Sequence, residues 1–343
     1  MFLRNAWYVA AISGEINQSL KPIKILGEHL VFYRTKAGPA VALEDACPHR
    51  KLPLSMGCLK GDKVECGYHG LTFDSTGTCV DAATQKRIPP SAKVRSYPTV
   101  DKLGLLWVWM GNPEKADSSK IIDIDNYQEP AWGITSGDAM TCYCNYLYLT
   151  DNLLDPSHVA WVHRTSFAAQ GTENTPLETT VLDDGLVVSR WVYDSPVPPF
   201  YESLVQFSGR TDRLQHYEVR YPSIAINKSI FAPVGRGGSS VDLSDDTYVM
   251  ISYNFMTPID EDTTRYHWLQ QRNTEPNNAD VTKHIAEGAR MAFNEDKEIL
   301  EAVHSGMKNK TSKNLDLALD AGSLRFRRGL EKLIQLEQEP DGQ

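Results

Sequence analysis

Two short segments of the chain each carry one cysteine and one histidine. One residue separates Cys47 from His49, two separate Cys66 from His69, and sixteen lie between the segments. Two thiolates and two imidazoles suit a [2Fe–2S] cluster in which the cysteines hold one iron and the histidines hold the other. A structural zinc site also takes two cysteines and two histidines, but it groups like with like. The mixed order within each segment therefore favours an iron–sulfur cluster over zinc.

A second group of candidate metal ligands lies further along the chain. His158 and His163 are five residues apart, and Asp155 precedes the first of them by three residues. We expect this segment to be a short helix that presents two neutral imidazoles to one metal ion. Non-heme Fe(II) sites that activate O2 use two histidines and one carboxylate and leave other positions open. The third ligand must therefore come from elsewhere in the sequence.

Residues 280–305 are typical of an amphipathic helix that could supply this carboxylate. The apolar stripe runs from Ile285 to Val303, and Asp296 falls within it, whereas Glu295 falls mostly outside. A carboxylate on the inward face of a helix is costly unless it is paired or binds a metal. Asp296 is therefore the predicted third ligand.

Each of these residues also has an ordinary structural interpretation. A histidine on a helix is usually a satisfied surface or core residue, and Asp155 before Pro156 is typical of an N-cap followed by proline at the first helical position. His158 and His163 alone are therefore ambiguous. The cluster pattern upstream and the inward-facing Asp296 shift the interpretation towards an iron site.

Taken together, these motifs resemble those of the Rieske non-heme iron oxygenases. The similarity runs from residues 4–10 (RNAWYVA) through both metal motifs to residues 295–297 (EDK), and so covers nearly the whole chain. Within this family, the chain is similar to the group of vanillate O-demethylase, dicamba O-demethylase and toluenesulfonate methyl-monooxygenase oxygenase components. The resemblance is specific because two separate metal motifs match it.

The resemblance implies a role for each motif residue. It implies that four residues bind a Rieske cluster: Cys47, His49, Cys66 and His69. It implies that three bind mononuclear Fe(II): His158, His163 and Asp296. Asp155 matches an aspartate that bridges a cluster histidine of one subunit and an iron-binding histidine of its neighbour, so a homotrimer is expected. Asn152 matches a position close to the iron that is not counted as a ligand.

Composition limits the possible partners. The chain has 343 residues and a net charge of −9 without a basic cluster, which argues against nucleic acid or an anionic membrane surface as a partner. Its apolar runs are too short to span a bilayer, and residues 1–5 lack the layout of a signal peptide. The six cysteines form no compact disulfide framework. A reducing cytoplasm is therefore the expected location.

The predicted fold is α+β with two domains. Short β-like runs separated by glycine and proline turns fill the first third, and the polar stretch 113–120 marks a boundary. We therefore expect an all-β Rieske domain over residues 1–115 and a catalytic domain over 116–343. Later strands are followed by helical segments near 147–163, 280–305 and 322–338. The resemblance implies a helix-grip (START/Bet v1-like) catalytic domain with an antiparallel sheet and a cavity under its long helix.

The expected function is that of the oxygenase component of a Rieske monooxygenase. The sequence has no nucleotide-binding signature and no ferredoxin-type cysteine spacing, so electrons from NAD(P)H must arrive through a separate ferredoxin or flavin reductase. Oxidative O-demethylation of a small substituted aromatic compound with O2 is the first expectation, and N-dealkylation and aryl-methyl hydroxylation are alternatives. A Rieske electron carrier without oxygenase activity is a further alternative, but it would have no use for the second metal site.

The substrate pocket is harder to read from sequence. Aromatic and polar residues cluster on two late strands, and five are predicted to line the pocket: Tyr253, Asn254, Phe255, His267 and Trp268. Aromatic residues in strands are also common core residues. Arg210, Arg213 or His216 could recognise an anionic group of the substrate, although exposure at the surface explains them equally well.

Overall fold

The protein is described here by a computed structural model covering residues 1–83, 85–169, 172–207, 209–238 and 246–339. The chain divides into two compact units. The first comprises Met1–Ile124, Thr257–Glu261 and the chain end from Glu337, and the second comprises Asp125–Met256 and Asp262–Leu336. Within the described residues, no helix is long and apolar enough to cross a membrane.

The first unit is built from short antiparallel strands, which confirms the predicted all-β N-terminal domain. In chain order the strands are Trp7–Ile12 (β1), Lys21–Ile25 (β2), Glu28–Arg34 (β3), Ala40–Glu44 (β4), Cys58–Lys60 (β5), Lys63–Glu65 (β6), Leu71–Phe73 (β7), Cys79–Ala82 (β8), Ser96–Tyr97 (β9), Thr99–Lys102 (β10) and Leu105–Trp109 (β11). Among the described residues they form three sheets, ordered β1-β11-β10, β2-β3-β4-β9 and β5-β6-β7-β8.

Both cysteine motifs of the first unit lie in loops that leave strands of these sheets. Cys47 follows the end of β4, and Cys66 lies between β6 and β7. Both cysteines belong to one buried apolar cluster together with residues of the neighbouring strands, including Val31, Leu43 and Phe73. The loops are therefore anchored by the core at their cysteines, while the residues that follow each cysteine extend towards solvent.

The second unit is α+β, as predicted, and its sheet is antiparallel. Its strands are Gly133–Ser136 (β12), Met140–Cys142 (β13), Glu178–Leu182 (β14), Gly185–Ser195 (β15), Thr211–Arg220 (β16), Ile224–Pro233 (β17), Tyr248–Pro258 (β18) and Thr264–Arg272 (β19). Its helices are Tyr146–Leu153 (α1), Val159–Val162 (α2), Ala279–Lys308 (α3) and Ala321–Gln338 (α4). The strand order in the described part of the sheet is β12-β19-β18-β17-β16-β15-β14, and β13 also pairs with β19.

The single helix predicted near residues 147–163 is wrong, because the structure has two helices there. Helix α1 ends at Leu153 and α2 begins at Val159. Pro156 explains the break, since it has no N–H for a helical hydrogen bond to Asn152 and disfavours the helical conformation of Asp155. The consequence for the site is that His158 and His163 flank the four-residue α2 at its N-cap and C-cap positions.

Helix α3 packs against the sheet through the predicted apolar face. Asn278 caps its N-terminus by accepting hydrogen bonds from the N–H groups of residues 280 and 281. The Phe293 ring contacts the rings of Tyr266 and Trp268 on β19, with centroid distances of 5.1 and 5.5 Å. Asp296, one turn further, is buried on this face. Packing of α3 on the sheet therefore carries a carboxylate into the interior of the unit.

Gly288 permits the close approach of α3 to its surroundings. A Cβ at this position would lie 2.1 Å from the nearest carbon of the Phe200 ring. Phe200 is itself buried and packs at 4.3 Å from the Phe167 ring and 5.0 Å from the His284 ring, measured between centroids. The ring cannot move without disturbing both neighbours.

We therefore expect Gly288→Ala to destabilise the protein by about 1–3 kcal/mol, the usual cost of overpacking. Gly306, in the same helix, is exposed and has no atom within 4 Å of a Cβ at its position. Gly306→Ala should instead stabilise the protein by about 0.5–1 kcal/mol through helix propensity. Urea unfolding followed by circular dichroism measures both shifts, and equal effects of the two substitutions would contradict the packing argument.

Candidate metal centres and the adjoining cavity

The two cysteine loops of the first unit have equivalent backbones. In each loop the cysteine N–H donates to the carbonyl five residues later, over 2.9 Å from Cys47 and 2.8 Å from Cys66. The residue four positions after each cysteine donates its N–H back to the cysteine carbonyl and has a positive φ, 59° at Lys51 and 72° at Gly70. Glycine adopts this conformation at no steric cost. The two loops therefore present their cysteines from matching positions.

The side chains of these loops provide two pairs of donor atoms. Cys47 and Cys66 are buried. Burial raises the pKa of the Cys47 thiol, and the neighbouring Cys66 thiol raises it further. The Nδ1 atoms of His49 and His69 lie 3.1 Å apart on the more exposed side. Two sulfurs on the buried side and two nitrogens on the outer side fit the donor set of a Rieske cluster.

In the second unit, His158, His163 and Asp296 converge. The Nε2 atoms of His158 and His163 lie 3.6 and 3.2 Å from the Asp296 Oδ1 atom, and one ligand atom from each residue lies within 4.8 Å of the others. Asp296 Oδ1 is buried and has no hydrogen-bond partner among the described residues. A buried, unpartnered carboxylate oxygen facing two imidazole nitrogens fits a facial iron site.

The other ring nitrogens of both histidines are held by oxygen atoms. The Nδ1 atom of His158 is hydrogen-bonded to the backbone carbonyl of Asp155, and the Nδ1 atom of His163 lies 2.6 Å from Oε2 of Glu295. A carbonyl or a carboxylate can only accept, so each Nδ1 donates and each Nε2 keeps its lone pair for a metal. Burial lowers the pKa of His163, but the Asp296 and Glu295 carboxylates outweigh burial and raise it.

Sequence analysis did not identify Glu295 as part of the site. It placed Glu295 mostly outside the apolar stripe of α3, and the side chain is in fact about one-third exposed. It nevertheless reaches His163, because the residue before Asp296 on the helix points towards the C-terminal end of α2. The sequence did contain a signal for this role, because Glu295 directly precedes the predicted ligand Asp296. Metal-binding histidines commonly donate their second ring N–H to a carboxylate.

Asp155 and Asn152 lie in a groove on the surface of the second unit. Both line it together with Arg327 and other residues of α1, α3 and α4. The Asp155 carboxylate accepts a hydrogen bond of 2.7 Å from the Ser157 N–H, so its backbone carbonyl, rather than its side chain, holds His158. Asn152 Nδ2 is buried without a partner among the described residues.

A cavity opens from the iron-ligand candidates into the second unit. Strands β16 to β19 and helices α2 and α3 contribute to its wall. Its described lining includes Leu153, His158, Val159, His163, Phe167, Tyr201, Arg213, Tyr217, Asn227, Ser229, Met250, Ser252, Asn254, Gln270, Ala289, Ala292, Phe293 and Asp296. Nine of these eighteen residues are aliphatic or aromatic and nine are polar or charged, three of the latter being the iron-ligand candidates. A cavity that combines apolar surface with placed polar groups is usual for a small-molecule site.

Of the five predicted pocket residues, the structure brings only Asn254 to this cavity. Strand residues alternate between faces, so Tyr253 and Phe255 point away from the face on which Asn254 lies. His267 differs by an odd number of positions from the cavity-lining Gln270 and also lies on the other face. Trp268 has the right face but packs against Phe293. All four side chains are buried outside the cavity lining: Tyr253, Phe255, His267 and Trp268.

The three candidates for anion recognition differ in their exposure, their ion pairs and their position relative to the cavity. Arg210 is 55 % exposed and pairs with Asp194 over 2.6 Å, and His216 lies 2.9 Å from a carboxylate oxygen of Glu218. Arg213 is buried and lines the cavity. Sequence alone left these residues equivalent.

Fold and site together define an oxygenase with two iron centres. The family described as Rieske [2Fe-2S] domain matches residues 6–98, and the family described as Vanillate O-demethylase oxygenase C-terminal domain matches residues 142–336. The chain belongs to the Rieske non-heme iron oxygenases, as an oxygenase component of the vanillate O-demethylase type. It is a monooxygenase, and its cofactors are a [2Fe–2S] cluster and a mononuclear non-heme iron.

The chain is similar to curated relatives and to solved structures along nearly its full length. The chain is 33% identical to the toluene-4-sulfonate monooxygenase system iron-sulfur subunit of Comamonas testosteroni, with 98% of each chain covered. It is 31% identical to the vanillate O-demethylase oxygenase subunit of Pseudomonas sp. (strain HR199 / DSM 7063), covering 99% of this chain and 97% of the relative. The crystal structure of dicamba monooxygenase bound to dicamba superimposes with a TM-score of 0.88 at 29% identity and covers 99% of both chains.

Replacing Asp296 tests its place in the iron site. We expect Asp296→Ala to lose mononuclear iron and keep the visible absorption of the cluster, so iron falls from about three to about two atoms per chain. Glu298→Ala on the exposed face of the same helix is the matched control and should keep all iron. Iron analysis with visible spectroscopy measures both, and full iron content in Asp296→Ala would remove this residue from the ligand set.

Replacing Glu295 tests the support of His163. Glu295→Ala removes the acceptor for Nδ1 and should weaken mononuclear iron binding by about 10- to 100-fold, with the cluster spectrum unchanged. Glu295→Gln retains an oxygen acceptor and should recover part of this loss. Iron titration of the protein stripped of mononuclear iron gives both affinities. Wild-type affinity in Glu295→Ala would show that His163 needs no such support.

Proposed function

We propose that this chain oxidatively demethylates a small substituted aromatic compound, using O2 and electrons from a separate NAD(P)H-dependent reductase. The observation that carries the proposal is the cavity in which the three iron-ligand candidates meet aromatic and aliphatic side chains such as Phe167, Met250 and Phe293. Two relatives support it, since they are named vanillate O-demethylase and dicamba O-demethylase.

The proposal assigns two sites to two domains. Residues 1–115 form the electron-transfer domain, where the cluster is bound by Cys47, His49, Cys66 and His69. Residues 116–343 form the catalytic domain, where iron is bound by His158, His163 and Asp296. The proposal also includes a homotrimer in which Asp155 bridges to the cluster of a neighbouring subunit, with Asn152 near the iron, and a ferredoxin or flavin reductase as the electron donor.

The residues of the chain prepare the site for oxidation of a C–H bond. When bound, the two iron centres would supply the electrons and the O2 activation that place one oxygen atom in that bond. Glu295 and the Asp155 carbonyl fix the orientations of His163 and His158. Aliphatic and aromatic side chains of the wall, such as Phe167 and Phe293, offer contacts to an aromatic ring. Hydroxylation of a methoxy carbon gives a hemiacetal, which breaks down to a phenol and formaldehyde.

Two related reactions would use the same cavity. The relative named toluene-4-sulfonate monooxygenase subunit, at 33% identity, favours hydroxylation of an aryl methyl group as the second candidate. The relative named chloroacetanilide N-alkylformylase, at 28% identity, makes N-dealkylation the third. The three reactions differ in the group that carries the attacked carbon, and therefore in their products.

Product analysis distinguishes these reactions. The iron-loaded protein is supplied with NADH, a compatible reductase and a panel of methoxy-, N-alkyl- and methyl-substituted aromatic compounds. We expect formaldehyde and NADH oxidation at a ratio near one on a methoxy-substituted compound, because the hemiacetal breaks down spontaneously.

Asp296→Ala serves as the control that keeps the cluster but should release no formaldehyde. A benzylic alcohol without formaldehyde would replace demethylation by methyl hydroxylation, and formaldehyde from N-methyl compounds alone would replace it by N-dealkylation. Peroxide is measured in parallel, since NADH consumption that yields only peroxide on every compound would refute all three reactions.

A further inference from the structure

One buried cation in the cavity wall has no counterion among the residues that the structure describes. Arg213 lies on β16, is 2 % exposed and lines the cavity. Its Nη1 donates to the Phe167 carbonyl over 3.2 Å, but its Nε is buried and has no hydrogen-bond partner among the described residues. Within that same part of the chain, no carboxylate forms an ion pair with it. A guanidinium is always charged, so within the described part of the chain this charge is buried without a paired carboxylate.

Another buried arginine shows what a purely structural guanidinium looks like. Arg272 is 1 % exposed, and its nitrogens donate to the carbonyls of Thr274 and Glu275 and to the Thr282 hydroxyl. It ties together the segment between β19 and α3 and leaves no nitrogen orphaned among the described residues. Among the described residues, Arg213 instead has the Phe167 carbonyl and the Tyr201 hydroxyl as polar neighbours, keeps an unpartnered Nε and lines a cavity. The difference indicates a group whose remaining partner comes from outside the chain.

Aromatic rings surround Arg213 without neutralising it. Its guanidinium carbon lies 5.1 Å from the Phe231 ring centre and 5.5 Å from the Tyr201 ring centre. Such cation–π contacts favour a cation, but they cancel no charge and leave the Nε–H without an acceptor. Burying an unpaired charge is costly, and a bound anion with two oxygens would relieve that cost by matching the planar fork of the guanidinium.

Phe167 connects this position to the iron-ligand candidates. Its ring lies 5.9 Å from the His163 ring and 5.8 Å from the Tyr201 ring, measured between centroids, and its carbonyl accepts from Arg213. A flat aromatic molecule along Phe167 can therefore have one substituent near the guanidinium and another near the histidine. We propose that Arg213 binds a carboxylate or sulfonate group of the substrate and so selects anionic aromatic compounds.

This inference rests on the proposed function only because it takes the cavity as the substrate site. It is therefore tested by measuring the affinity of small aromatic probes, with no reductase and no turnover. Isothermal titration of the iron-loaded protein uses benzoate and benzenesulfonate as anionic probes, and benzamide and benzenesulfonamide as neutral probes of similar shape. We expect the wild-type protein to prefer each anionic probe. Arg213→Gln should weaken the anionic probes by about tenfold to a hundredfold and the neutral probes by less than about threefold.

Two further variants support the interpretation. Arg210→Gln removes the exposed arginine three residues earlier and should leave all four affinities within about twofold of wild type. Arg213→Lys keeps the charge but loses the planar fork, so it should weaken the anionic probes while retaining some preference for them. It also replaces Arg213→Gln if circular dichroism shows that the latter does not fold.

Neutral probes of similar shape separate recognition of the anion from a general change in the cavity, because a change in cavity shape would weaken charged and neutral probes alike. A loss confined to the anionic probes in the Arg213 variants supports the proposal, whichever oxidation the enzyme performs. Equal losses for charged and neutral probes would show a structural role for Arg213 and overturn it. The proposal would also be overturned if the anionic probes had the same affinity for the wild-type protein and for the Arg213 variants.

Discussion

A carboxylate in the apolar face of a helix destabilises a fold unless a cation or hydrogen-bond donors lie within its reach. The second unit meets this constraint at Asp296, whose Oδ1 atom faces the Nε2 atoms of His158 and His163. Much of the surrounding architecture keeps these three atoms together. The small side of α3 at Gly288 lets the helix approach Phe200, and Phe293 fixes the helix against β19. The close approach of these three candidate ligands therefore depends on how closely α3 packs on its surroundings.

The histidines reach this carboxylate because the chain is not one continuous helix over residues 147–163. The break at Pro156 separates α1 from α2, and the Asp155 carbonyl between them accepts a hydrogen bond from His158. At the other end of α2, Glu295 accepts from His163. One candidate ligand, His158, is thus held by a backbone carbonyl between the two helices, and the other, His163, by a side chain from α3. Both hydrogen bonds engage Nδ1 and so leave the Nε2 atoms of His158 and His163 available to a metal.

Sequence predicted what depends on residue type and local period, and it failed where the answer depends on which face a residue occupies. Cysteine and histidine types marked the cluster loops, and the apolar stripe placed Asp296 inside. Tyr253, Asn254 and Phe255 are consecutive on one strand and cannot all face a cavity, so a prediction made from their clustering was bound to miss two of them. Glu295 was overlooked for a related reason, because its partner lies on an element distant in sequence. Arg213 could not be told from Arg210 until the sheet showed which side chain is buried.

The metal ligands and the cavity wall come from different kinds of element, and this separation has a consequence for substrate choice. The ligand candidates lie at the ends of α2 and on α3, whereas most polar groups of the wall, such as Arg213, Asn254 and Gln270, lie on β16 to β19. A substitution on the cavity face of a strand changes a contact to substrate without changing the distance between His163 and Asp296. Relatives named for vanillate, dicamba and toluene-4-sulfonate share about a third of this sequence along its full length, and the dicamba monooxygenase structure shares its fold. Strand positions that face a cavity can change polarity while the alternate positions preserve the core, so this architecture allows substrate preference to change without a change at the ligand candidates.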